Sequence, residues 1–219
     1  FEILRFIDGL EPKIVFLENV KNLQSHDKGR TFEIIKSELQ DRGYYLDYKV
    51  LNSSEYGNVP QNRERIYIVG FKDKKAYENF DFPKQKKLNV KITDLLEKQA
   101  DEYFYYHKSK YYPQLKEEMT NKDTVYQWRR KYVRENKSNL CPTLTANMGT
   151  GGHNVPLIID SKDIRKMTPR ECARFQGYDE NFIFSENMAN SHLYKQIGNS
   201  VTVSVIEAIA KEIRKALDV

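Results

Sequence analysis

Cysteine is nearly absent from this 219-residue chain, with Cys141 and Cys172 the only two. They have neither the paired spacing of a zinc site nor the number needed for a disulfide framework, a usage that suits a reducing cytoplasm. Histidine is scarce as well, and His26, His107, His153 and His192 are too scattered to favour a metal centre. No apolar run approaches the ~20 residues that cross a bilayer, and the first residues lack a signal-peptide layout. The loop Gly149-Thr150-Gly151-Gly152 is not followed by Gly-Lys-Ser or Gly-Lys-Thr, which excludes a phosphate-cradling P-loop. There is no initiator Met. The chain opens on Phe1-Glu2-Ile3-Leu4, already inside a helical pattern and without a cap, so it reads as the C-terminal part of something longer.

What is present is a folding composition. Hydrophobic residues make up 39% and charged residues 31%, enough for one or two domains with a real core. Two strings near the start stand out. Glu18-Asn19-Val20 closes the apolar run Ile14-Val15-Phe16-Leu17, and Gln61-Asn62-Arg63-Glu64-Arg65 opens the apolar run Ile66-Tyr67-Ile68-Val69. Each places charge at one end of a buried-looking strand, where a sheet offers side chains to a crevice. A carboxylate and a guanidinium meeting there would suit the edge of a small planar polar molecule such as a nucleobase; an ion pair capping two strands is the plainer alternative.

The net charge of +5 is concentrated. Between Lys108 and Lys137 lie nine Lys or Arg and four Asp or Glu, interleaved with Tyr111, Tyr112, Tyr126, Trp128 and Tyr132. Basic and aromatic residues mixed in this way are the footprint of a nucleic-acid surface, and equally of a solvated lysine-rich face.

Residues 13 to 18 read as a strand buried on both faces, and 30 to 42 as a helix with Phe32, Ile35 and Leu39 on one side and Gly43 placed to end it. Strands follow at about 44 to 51 and 65 to 71. Thr168-Pro169-Arg170-Glu171 is a helix start, with Thr as cap, Pro at the first helical position and Glu three residues after the cap. A last helix is expected from Asn199-Ser200, burying Val203, Ile206, Ala210, Ile213 and Leu217. Gly198-Asn199-Ser200-Val201 would then offer N–H groups at a helix N-terminus, which suits a ligand carboxylate.

Five segments, in order, carry a resemblance: "PKIVFLENVKNL", "VLNSSEYGNVPQNRERIYIVGF", "TLTANMGTGG", "TPRECARFQGYDENF" and "QIGNSVTVSVIEAIA". The chain resembles the C-terminal two-thirds of a bacterial cytosine-5 DNA methyltransferase of the restriction–modification type. The resemblance implies an α/β fold: the second half of a doubly wound S-adenosylmethionine-dependent methyltransferase sheet plus a small target-recognition domain. It implies the catalytic half over 1–90, recognition over 91–170, a hinge over 171–198, and a helix over 199–219 returning to the first domain. The expected activity is transfer of a methyl group from S-adenosylmethionine to carbon 5 of a cytosine flipped out of a specific duplex DNA sequence.

The same resemblance assigns roles. Glu18 matches the carboxyl group that contacts ring nitrogen 3 and the exocyclic amine, Arg65 the donor to the cytosine carbonyl oxygen, and Arg63 a second arginine of that pocket. Asn199, Ser200 and Val201 match the cofactor-holding segment. Thr143 and Leu144 match a dipeptide touching DNA near the flipped base, with Asn147 close behind. Arg129 and Arg130 fall where base-reading residues often lie. Cys172 and Cys141 are read as packing residues.

The family's glycine-rich cofactor loop and its Pro-Cys nucleophile occur nowhere in the 219 residues. The expected partners are therefore duplex DNA and a missing N-terminal part, in cis or as a separate subunit, in a bacterial cytoplasm with no membrane attachment. A catalytically inactive DNA-binding fragment or regulator is the alternative.

Overall fold

The computed structural model describes residues 2–129, 131–150 and 154–218. The chain runs through α1 (Glu2–Leu10), β1 (Ile14–Val20), α2 (Arg30–Gln40), β2 (Tyr45–Asn52), α3 (Ser53–Tyr56), β3 (Gln61–Asn62), β4 (Glu64–Phe71) and α4 (Lys74–Glu78). It continues with α5 (Tyr112–Glu118), β5 (Tyr126–Trp128), β6 (Val133–Glu135), β7 (Cys141–Pro142), β8 (Val155–Ile159) and β9 (Ile164–Lys166). Three helices close it: α6 (Pro169–Phe175), α7 (Asn190–Asn199) and α8 (Val203–Leu217). Among the described residues no helix is long and apolar enough to cross a membrane.

Two compact units result. The first comprises 1–52, 64–85 and 207–219, and the second 53–63 and 86–206. This partition cuts across the linear division drawn from sequence. The segment 53–63 groups with the second unit through the parallel pairing of β3 with β7, Gln61 opposite Cys141.

In the first unit β4 lies between β1 and β2 and is antiparallel to both, so β1 and β2 run parallel to each other with α2 connecting them. The run Ile66–Phe71 is buried throughout, as its unbroken apolar sequence requires of a central strand. Helix α2 buries Phe32 and Leu39 and ends close to expectation: Gly43 takes φ of 81° and its N–H returns to the Gln40 carbonyl at 2.8 Å. Helix α1 buries Ile7, while Ile3, Phe6 and Leu10 stay 53%, 68% and 74% exposed. Together with Leu4, Leu17 and Ile34 these helices frame an open apolar groove of about 670 Å³ beside edge strand β1.

The second unit carries the four-stranded antiparallel sheet β6-β5-β8-β9. One face packs Tyr126, Trp128, Val155 and Leu157 with Leu115 and Met119. A second core gathers Cys141, Leu144, Ile158, Cys172, Phe175 and Tyr194. Helix α6 starts as its sequence indicates: the Thr168 hydroxyl accepts from the Glu171 N–H at 3.1 Å, and Glu171 accepts from the Thr168 N–H at 2.7 Å. Glu171 also holds the fully buried Arg165, at 2.7 and 2.8 Å, and Asp160 completes that guanidinium's ion pairs at 2.6 Å.

The last helix departs from expectation. Asn199 ends α7, Ser200 is its C-cap in extended conformation, and α8 begins only at Val203. The segment Gly198–Val201 therefore closes one helix rather than opening the next. The buried stripe of α8 is Val205, Ala208, Ile209, Ile213 and Ala216, whereas Val203, Ala210 and Leu217 are exposed. Apolar residues lie on both sides of this helix, and packing rather than periodicity selects between the two stripes.

Candidate functional site

The antiparallel register of β1 and β4 sets Glu18 opposite Tyr67 and Val20 opposite Arg65, so Glu18 and Arg65 are diagonal neighbours on one face. Arg65 Nε lies 3.0 Å from Glu18 Oε1, an ion pair. Both side chains are partly exposed, 15% for Arg65 and 27% for Glu18, and the groove beside α1 includes Glu18 and Asn19 in its wall. A second donor of Arg65, Nη1, rests on the Glu64 carbonyl at 2.8 Å, which fixes the plane of the fork. Lys21 pairs with Glu64 alongside. The carboxylate and guanidinium strings noted in the sequence thus meet at adjacent strand ends, an acceptor and a planar donor side by side.

Arg63, two residues earlier, belongs to the other unit and has a different environment. Its side chain is buried. Nη1 donates to the Leu144 carbonyl at 3.0 Å, and Nη2 to the Ser200 and Gly198 carbonyls at 2.6 and 3.3 Å. It ties the loop after β7 to the end of α7. The sequence grouped it with Glu18 and Arg65, but within the second unit its guanidinium is taken up by main-chain carbonyls. Gln61, to which no role was given, does similar work: its amide donates to the Phe175 carbonyl at 2.6 Å and accepts from the Leu144 N–H at 3.1 Å. Nothing short of the fold marks a buried amide with distant partners.

At the end of α7, the Ser200 hydroxyl donates to the Ile197 carbonyl at 2.7 Å, while the Asn199 side chain is exposed with no partner among the described residues. Gly198 lies so close to the Thr145–Ala146 backbone that a Cβ would fall 2.3 Å from the Thr145 carbonyl carbon. The segment is contacted by Arg63 and by the Thr145–Ala146 backbone, with Asn199 its exposed residue.

Of the residues assigned to DNA, Thr143 donates its hydroxyl to the Asn62 carbonyl at 2.6 Å, and Asn147 is exposed and accepts from the Thr145 hydroxyl at 2.6 Å. The Leu144 side chain is 2% exposed and packed in the core, with its N–H donating to the Gln61 side chain and its carbonyl accepting from Arg63. Arg129 donates to Asn154. Arg130 lies outside the described residues. Arg129 and Thr143 share a polar hollow of about 270 Å³ with Gln127, Arg134 and Asn154. Strand alternation in Tyr126-Gln127-Trp128 and Val133-Arg134-Glu135 was the signal that would have found the two new members.

Both cysteines are fully buried, and burial pushes each thiol well above its ordinary range. Neither is a thiolate at neutral pH. No cluster of three or more metal-ligating side chains occurs among the described residues.

A family model described as C-5 cytosine-specific DNA methylase matches residues 1–215. The Type II methyltransferase M.Bsp6I of Bacillus sp. (strain RFL6) is 57% identical over 221 residues, covering 99% of this chain and 70% of that protein. The Type II methyltransferase M.SsoII of Shigella sonnei is 38% identical over 220 residues, covering all of this chain and 57% of that protein. Among solved structures, a Dnmt2 methyltransferase from S. pombe superposes with a TM-score of 0.72 over 99% of this chain and 71% of that one; at 18% identity the likeness is one of fold.

Proposed function

Because this chain belongs to the C-5 cytosine-specific DNA methylase family, we propose that it supplies the base-activating and DNA-reading part of an enzyme that methylates carbon 5 of a flipped-out cytosine in duplex DNA, within a restriction–modification system. The observation carrying this reading is the Glu18–Arg65 pair at 3.0 Å on adjacent strand ends. Attack on carbon 6 of cytosine requires the charge developing on the ring to be neutralised. Glu18 would hold a proton at ring nitrogen 3 and accept from the exocyclic amine, while Arg65 donates to the carbonyl oxygen; together they orient the ring. Arg63 acts one step removed, by positioning the segments it binds.

The cofactor of such chemistry is S-adenosylmethionine, which supplies the methyl group when bound. This chain's residues fit one polar edge of it: the exposed Asn199 amide, between Gly198 and Ser200 whose carbonyls Arg63 holds, with Val201 next in the chain. The nucleophilic thiol would come from outside the 219 residues, a reading supported by the burial of Cys141 and Cys172. The remaining part of the enzyme would also cover the apolar groove beside α1 and the free edge of β1.

The test supplies the N-terminal part of a relative, in cis or as a separate subunit, with duplex DNA and labelled S-adenosylmethionine. Residues 1–219 alone should transfer no methyl group, and the completed enzyme should. Glu18→Ala in the completed enzyme should slow transfer by at least ~100-fold with folding unchanged. Near-normal turnover of that variant would overturn the assignment.

A further inference from the structure

In the four-stranded sheet of the second unit, the register sets Gln127 of β5 directly opposite Arg134 of β6. Their neighbours Tyr126, Trp128 and Val133 turn to the other face, where they join the core beneath α5. Gln127 and Arg134 therefore share the face that walls the polar hollow. Gln127 is only 6% exposed, yet its amide has no side-chain partner among the described residues, and Arg134, exposed beside it, has neither an ion pair nor a hydrogen bond there. The Gln127 amide, unpaired at the wall of the hollow, offers both a donor and an acceptor there, and the free guanidinium beside it is a fork of donors awaiting acceptors. The other lining side chains include Arg129, Asn154, Thr143 and Thr145, and no carboxylate is among them. Arg129 differs from Arg134 in being engaged already, through Nη1 to Asn154.

We propose that Arg134 and Gln127 form a base-reading element whose ligand is the major-groove edge of a G·C pair. It rests on the DNA-methylating reading above and names a determinant of sequence specificity within it. The chemistry selects the ligand. Guanine presents O6 and N7, two acceptors spaced for a guanidinium fork, and its paired cytosine presents an N4–H donor that a glutamine carbonyl oxygen accepts. A phosphate offers acceptors alone: it could take the Gln127 N–H groups but would leave the Gln127 carbonyl oxygen without a donor. A carboxylate-free hollow that sets a guanidinium fork beside an amide able both to donate and to accept matches the base edge better.

The experiment tethers the full chain to beads at low density, selects from a randomised duplex DNA library, and sequences the bound fraction at several salt concentrations. Wild type should enrich a sequence containing an invariant G·C pair. Arg134→Ala should relax preference at that pair alone, by about 5- to 150-fold, with the salt slope unchanged. Gln127→Met should relax the same pair, and Arg134→Lys should not restore full selectivity, because an ammonium lacks the planar fork. If Arg134→Ala weakens all sequences alike and lowers the salt slope by about one, Arg134 holds phosphate and the proposal fails. It fails equally if that variant changes nothing. If wild type enriches no sequence, the DNA-recognition reading itself falls and takes this inference with it.

Discussion

Replacing Arg63 by methionine separates the two arginines that the sequence placed together. Arg63 donates to three main-chain carbonyls, those of Leu144, Gly198 and Ser200, from a buried position. Hydrogen bonds to a charged group contribute about 1.5–3 kcal/mol each, and each buried carbonyl left unpaired costs about 1–3 kcal/mol. Methionine fills much of the arginine stem and removes the desolvation cost of the guanidinium, which offsets part of the loss. The net effect should be about 3–5 kcal/mol, comparable to breaking a buried charged contact. Trp128 is the only tryptophan and is buried in the second unit, so its fluorescence follows the unfolding of that unit. The thermal transition it reports should fall by roughly 6–20 °C in Arg63→Met. Arg65→Met, which removes a partly exposed pair of the first unit, should leave the Trp128 transition in place and cost no more than ~1 kcal/mol. An Arg63→Met transition within about 1 kcal/mol of wild type would refute the clamp and return Arg63 to the base-binding group.

Two further outcomes follow from burial. Cys141 and Cys172 should resist thiol-specific reagents in the native protein at pH 8 and react only on unfolding, since burial holds both as thiols; rapid native labelling would contradict their placement. At Asp160, burial by itself would raise the carboxyl, but the Asp163 N–H, the Tyr105 hydroxyl and Arg165 outweigh it and hold the group below the ordinary carboxylate range. With its folded value lowered, Asp160 contributes stability that is complete above the unfolded value near 3.9 and is lost as pH falls through the folded one. Asp160→Asn should therefore destabilise the second unit at pH 7 and flatten its acid dependence below about pH 4. An unchanged acid titration of the Trp128 signal would show that Asp160 is not the coupled group.

Local features are legible in the sequence. The strand at Ile14–Val20, helix α2 with its stop at Gly43, and the Thr168–Glu171 cap each rest on neighbours along the chain: an apolar run, a residue able to take positive φ, a hydroxyl and carboxylate three apart. The carboxylate and guanidinium strings can be recognised for the same reason, since each marks its own strand end. What those strings do to each other cannot. That Arg65 reaches Glu18 while Arg63 reaches Leu144, Gly198 and Ser200 depends on β4 beginning only at Glu64, after Arg63, and on partners up to 137 positions away in the chain. The start of α8 and its buried stripe likewise depend on packing, because apolar residues on two faces leave periodicity unable to choose between them. The pairing of Gln127 with Arg134 is set by a register that two three-residue strands are too short to declare alone. The sequence by itself determined the elements and their charged ends, which are short-range consequences of side-chain shape and backbone preference. Only the tertiary structure decided which polar groups are satisfied and which remain open to a ligand, because a hydrogen bond is counted between atoms that the chain brings together from far apart.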